Sequence, residues 1–153
     1  MSDKDISTLY EMVVRGDDYR EEYEFEMFGE ETLAVLRPLK DGEFLPIAGA
    51  LQAKFDIDEE EAVEEIEDAK EEDGGVDVSD MDEEFVELVQ KAAKRGIVGD
   101  EMEGPDGKGL AQEQVDELVS SMIGGYSVEL GGKVLETSGN VRDAEKFRGR
   151  GSQ

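Results

Sequence analysis

The chain contains no cysteine, no histidine and no tryptophan. Without thiols there are no disulfides and no thiolate metal sites. Without imidazole, acid–base or nucleophilic chemistry would fall to carboxylates, lysine, serine or tyrosine. Aromatic residues make up 7% of the chain and apolar residues 37%, which allows one domain of 153 residues with a modest core. Bases are scarce: 16 Lys and Arg stand against 42 Asp and Glu. A surface so poor in clustered cations disfavours nucleic acid as a partner. No apolar run approaches the roughly 18 residues of a membrane span, and the opening residues lack a basic-then-apolar leader. The expectation is a soluble intracellular protein.

What the sequence has in excess is negative charge, a net of -26 with an isoelectric point near 4.1. Disorder is one explanation. Adaptation to a saline cytoplasm is the other, and it is favoured here. The acids are spread along nearly the whole chain while several segments keep clean apolar periodicity. At about 1 M salt the Debye length falls to roughly 3 Å, which screens the self-repulsion that would open the chain in dilute buffer.

The expected fold is mainly α with a small N-terminal β-hairpin. It divides into an N-terminal segment (1–21), one mainly helical domain (22–139) and a flexible basic tail (140–153). Residues 3–15 fit a short helix with Ile6, Leu9, Tyr10 and Val13 on one stripe and Gly16 as its stop, or a frayed terminus. Residues 22–37 alternate as a hairpin that turns at Gly29-Glu30-Glu31, with Pro38 ending the second strand. Asp41 suits the N-cap of a helix over 42–54, with Phe44, Ile47, Ala48, Leu51 and Phe55 inward. Residues 56–73 hold twelve acids and one base around a thin apolar stripe. They read as a solvated helix, followed by a linker from Gly74 to Asp80.

The clearest helix is 81–95. Its acids lie first and its bases last, as the helix dipole prefers, and Gly96 suits a left-handed cap with Ile97 folding back. A glycine-rich loop over 98–109 precedes a further helix lined by Val115, Leu118, Val119 and Met122. The stretch 126–137 fits two readings. YSVEL followed by Gly131-Gly132 and KVLET alternates as a hairpin, yet Ile123, Tyr126, Leu130 and Val134 also recur at helical steps.

No catalytic or cofactor site emerges. Pairs such as Glu60 with Glu64 and Glu61 with Glu65 arise by chance among so many acids. Neither DIDEEEAVEEIE nor DVSDMDEEFVEL has the glycine a calcium loop needs at its sixth position. Gly107-Lys108-Gly109 lacks the Ser or Thr that a phosphate loop places after its lysine. Arg142, Lys146, Arg148 and Arg150 form a basic tail that reads as a solubilising end. A small acidic helical protein of this kind suggests protein binding rather than catalysis.

The order of elements resembles the tail assembly chaperones of tailed viruses over about residues 22–139. The matching pieces are Arg37-Pro38-Leu39 after a hairpin, Gly96-Ile97-Val98 at a helix end, Gln114-Val115-Asp116-Glu117-Leu118 in the next helix, and Val134-Leu135-Glu136-Thr137-Ser138-Gly139 in the last. Ala111 departs from the Ser or Thr cap usual before the third motif, and the acidic run at 56–73 exceeds a typical member's. The resemblance implies a non-enzymatic protein, and with the charge the expectation is a version from a haloarchaeal host's cytoplasm. Such a protein binds the helical tape-measure protein, keeps it soluble and assists tail-tube subunits. A homo-oligomer is compatible with it.

A structural virion component, such as a head–tail connector or tail-completion protein, and a cellular halophile adaptor are the alternatives. Phe85, Leu88, Val89, Val115, Leu118 and Val119 are core candidates, and any that faces outward becomes a partner-binding candidate. The resemblance also tips 126–137 toward a helix from about Ser127 to Thr137, stopped by Ser138-Gly139. Gly131 then lies mid-helix, where it disfavours the helix by about 1 kcal/mol relative to Ala unless another backbone approaches closely. Gly124, Gly131 and Ser138 would form a small-residue seam.

The charge reading predicts that the fold weakens in dilute buffer. Circular dichroism should show a thermal midpoint rising most steeply up to about 1 M KCl, where screening is already strong; a flat profile from dilute buffer to about 3 M would overturn the saline reading.

Overall fold

The computed structural model describes residues 8–72, 74–104 and 107–142, and shows a mainly helical chain with one antiparallel hairpin. The elements run α1 (Leu9–Asp18), β1 (Glu21–Met27), β2 (Glu30–Leu36), α2 (Asp41–Phe55), α3 (Glu59–Asp68), α4 (Glu83–Gly96), a single 3-10 turn (Gly99–Glu101), α5 (Gln112–Ser120) and α6 (Tyr126–Arg142).

The last helix is the centre of the molecule. Tyr126, Val128, Leu130, Val134, Leu135, Thr137 and Ser138 are all buried, so α6 is covered on every side rather than along one stripe. It packs chiefly on α4 and α3. The hairpin reading of 126–137 is therefore excluded. The expected stop at Ser138-Gly139 is also corrected, because the helix runs on to Arg142. Ser138 instead ties α6 to the segment before α2. Its Oγ–H donates to the Val134 carbonyl at 2.8 Å, and its Oγ accepts the Leu39 backbone N–H at 2.9 Å. Two sequence motifs, Arg37-Pro38-Leu39 and the end of α6, thus meet 99 residues apart. Arg142 stacks over the Phe44 ring at 3.9 Å and pairs with Asp41 at 3.1 Å. The first residues assigned to the tail therefore belong to the helix, while 143–153 lie outside the described residues.

Mid-helix glycine is explained by close approach. A Cβ at Gly131 would overlap the main-chain carbonyl of Val89, so α4 and α6 meet at backbone distance at this level. Gly96 is explained the same way and differs from expectation. It is the last residue of α4 rather than a left-handed cap, and Val134 occupies the space its side chain would need. Ile97 does not fold back. It bridges to Leu36, with Arg37 N–H donating to the Gly96 carbonyl and Val98 N–H to the Val35 carbonyl, both at 2.8 Å. Residues 96–98 thereby extend the hairpin by a short third edge.

The hairpin pairs Met27 with Glu30 and Glu21 with Leu36, so its turn is Phe28-Gly29 and not the expected Gly29-Glu30-Glu31. Both turn residues have positive φ, 53° and 82°, the geometry of a two-residue type I′ connection. Lys40, not Asp41, is the N-cap of α2. The helix start is closed by Glu43, whose carboxylate accepts the Lys40 N–H and both Nη groups of Arg37 at 2.9 Å. Burial opposes ionisation of Glu43, but the Arg37 guanidinium and the Lys40 N–H together outweigh it and hold the carboxyl below its ordinary range.

The acidic helix is shorter than 56–73. Asp58 caps it by accepting the Glu61 N–H at 2.8 Å, and Lys70 already bridges to Val76. The expected linker after it is ordered. Val76 is buried, and Gly75 and Gly125 take positive φ where each lies against the other segment's main chain. The two double-glycine turns at 74–75 and 124–125 thus seat one on the other, which permits the chain to turn into α6. Helix α1 continues through Gly16 to Asp18 under a Thr8–Glu11 capping box and buries none of its residues.

The backbone contact at Gly131 generates a paired prediction. Gly131→Ala should destabilise the fold by about 1–3 kcal/mol through overpacking. Gly139→Ala, on the same helix with open space around it, should leave stability unchanged or raise it by up to about 1 kcal/mol. Chemical denaturation of both variants in high salt checks this.

Candidate functional site

An apolar groove of about 460 Å³ opens between the hairpin and α5. Phe25, Met27, Phe28, Thr32 and Leu33 line it from the hairpin; Met102, Leu118, Met122 and Ile123 line it from the opposite side; buried Ala34, Ile97 and Leu130 close its base. Four of these large side chains are well exposed: Ile123 at 69%, Phe28 at 67%, Leu33 at 45% and Leu118 at 40%. Single exposed apolar residues are ordinary, but a contiguous patch of them is not. Around it the surface is acidic, with Glu26, Glu30, Glu31, Glu101, Glu103 and Glu117 all exposed.

Phe28 is the unusual residue of this wall. Bulky residues avoid positive φ, and two-residue hairpin turns usually place Asn or Asp here. The conformation is held by α6: Phe28 N–H donates to the Tyr126 hydroxyl at 3.0 Å, and the two rings meet edge to face at 5.2 Å between centroids. Tyr126 in turn lies 6.4 Å from Phe25, which stacks on Tyr23 at 5.4 Å. An aromatic row therefore runs along the inner face of β1 and ends at the groove rim.

The hairpin wall is anchored by a buried carboxylate. Glu129, near the start of α6 and 4% exposed, accepts the Tyr23 hydroxyl at 2.6 Å and the Gly75 N–H at 2.7 Å. Lys70 Nζ stands 4.0 Å away. One side chain thus ties β1, the 74–75 turn and α6 together. Burial and the adjacent Glu129 carboxylate push the Tyr23 phenol well above its ordinary range, so it stays protonated and keeps donating. Sequence reasoning missed this residue. A single glutamate among 42 acids gives no signal of its own; the one available hint was its place in a stretch otherwise made largely of apolar and small residues.

The candidate partner-binding residues separate in space. Phe85, Val89, Val115 and Val119 are buried core, Leu88 is half-buried, and Gly131 is sealed against α4. Gly124 is exposed in the turn before α6. Leu118 alone of the six apolar candidates lies in the groove. Phe28, Leu33 and Ile123 were not singled out, because exposure depends on how the hairpin and α5 face each other. The small-residue seam of Gly124, Gly131 and Ser138 does not form one surface. Its three members serve a turn, a helix crossing and a hydrogen bond to Leu39.

Glu60, Glu61, Glu64 and Glu65 all face solvent on α3, and among the described residues no group of three or more acidic side chains could hold a metal ion. No helix of the described residues is long and apolar enough to cross a membrane. No family model matches the sequence, and neither a curated protein nor a solved structure matches it.

The anchor at Glu129 predicts that Tyr23→Phe weakens the fold by about 1.5–3 kcal/mol, the range for a hydrogen bond to a charged group. Amide exchange should accelerate in β1 and at Gly75 more than in α4. Uniform acceleration across the chain would argue against a local tie.

Proposed function

We propose that this chain is a non-enzymatic tail assembly chaperone of a halophilic tailed virus. In this reading it binds the tape-measure protein in the host cytoplasm and assists assembly of the tail tube. The observation that carries it is the groove: an apolar surface gathered from separate segments of a strongly acidic chain, which also exposes Leu9, Tyr10 and Val13 along α1. A protein that shields apolar stretches of a long client needs such a surface. It also needs a charged exterior that keeps the complex dispersed. The strained turn at Phe28 supports a binding role, since strain of this kind concentrates at ligand clamps. The order of the four motifs supports the choice of client. The methionine side chains of the groove, Met102 and Met122, suit a surface that adapts to varied partner segments.

The test is co-expression with the tape-measure protein of the same virus. Wild-type chain should keep it soluble and co-purify with it. Leu118→Asp should fold, because Leu118 is 40% exposed, yet lose the client. A folded Leu118→Asp chain that still co-purifies, or a wild-type chain that never does, would overturn the reading.

A further inference from the structure

The groove is bordered by an open strand edge, and that edge specifies more than apolar contact. Arg37 N–H and the Val35 carbonyl point away from β1, since both bond to residues 96–98. Backbone direction alternates along a strand. The N–H and C=O groups of Leu33 and Glu31 therefore also point away from β1. Beyond Val98 the chain turns off into the 3-10 turn Gly99–Glu101, and no described residue outside the hairpin pairs with β2 past this point. The remaining edge lies along the groove, where Thr32, Leu33 and Ala34 are lining residues.

The two faces flanking this edge differ. Thr32 and Ala34 share the inner face with Tyr23 and Phe25, beside the apolar wall of Met102, Leu118 and Ile123. On the outer face the open part of β2 carries Glu31 and the half-exposed Leu33, with Glu24 and Glu26 behind them on β1. A strand added here would place one row of side chains against the apolar wall and the other over Leu33 and Glu31, where the apolar stem of a Lys or Arg can cover Leu33 while its cation reaches toward Glu31 and the β1 carboxylates. We propose that the open edge of β2 takes an extended segment of a partner protein as an added strand, one in which apolar residues alternate with Lys or Arg.

Charge complementarity selects this occupant over a second copy. Edge-to-edge pairing of two copies would bring Glu31 and the β1 glutamates of both hairpins onto one sheet face, and like charges across a sheet are unfavourable. The inference goes beyond the chaperone reading, because it fixes the conformation and chemistry of the occupant whatever its identity.

The experiment uses three synthetic peptides of roughly eight residues, a usual strand length. The first alternates Val or Ile with Lys. The second has the same composition rearranged to helical spacing. The third is the first with N-methyl groups on every second amide, placed on the edge that would meet β2. Affinity by fluorescence anisotropy and amide exchange at Leu33 are read with the full chain. The alternating peptide should bind and protect the Leu33 amide, while both others bind about tenfold or more weakly. Leu33→Pro removes an N–H that the hairpin does not use, and should weaken the alternating peptide by a similar factor. Peptide affinity lost in Leu33→Pro counts only alongside the N-methyl result, which needs no altered protein.

Equal binding of the helical arrangement, or indifference to N-methylation, would overturn strand addition. So would concentration-dependent protection of Leu33 in the free protein, which would assign the edge to a second copy. Peptide failure with retained capture of the tape-measure protein would remove this inference and leave the chaperone reading standing.

Discussion

The contact between Gly131 of α6 and the main chain of α4 at Val89 sets the position of most other elements. With no side chain at 131, the two helices meet at backbone distance, and Gly96 admits Val134 further along the same crossing. That closeness draws α6 into the middle of the fold. Once central, α6 must satisfy groups that a surface helix leaves to water. Ser138 does so for the Leu39 N–H, and Glu129 for Tyr23 and Gly75. The hairpin, the 74–75 turn and the start of α2 are all placed by bonds to this one helix.

Burying a carboxylate is expensive unless it is paired and hydrogen-bonded. Glu129 meets that condition with one hydroxyl, one backbone N–H and a nearby ammonium. The arrangement makes the hairpin's position specific rather than merely favourable, since a shift of one residue in β1 would take Tyr23 to the opposite face. The rim of the groove inherits this precision. Tyr126, the first residue of α6, holds Phe28 in a backbone conformation that phenylalanine rarely adopts.

The surface combines two properties that are usually kept apart. Its net charge is -26, yet it exposes apolar side chains along α1 and in a groove beside an unpaired strand edge. Such an edge invites aggregation in a neutral protein. Here Glu31 on the edge strand and Glu24 and Glu26 on β1 surround it with negative charge.

The sequence by itself determined the element types, because they rest on local physics. Alternation marked the hairpin, the 3.6-residue period with acids first and bases last marked α4, and Pro38 and Gly124-Gly125 marked the end of the hairpin and the turn before α6. It also determined the charge and the absence of thiol and imidazole chemistry. Boundaries that depend on non-local partners were misplaced. Gly96 looked like a cap, and the segment after Gly74 looked like a linker, because what each packs against lies far along the chain. The helix at 126–142 was ambiguous for the same reason: a stretch buried on all sides has no polar face to give it a period. Only the tertiary structure decided which of the apolar candidates are core and which face outward. It alone put Leu118 beside Leu33, Phe28 and Ile123, from separate segments. A groove is a relation between surfaces, and no single segment's pattern encodes the distance between them.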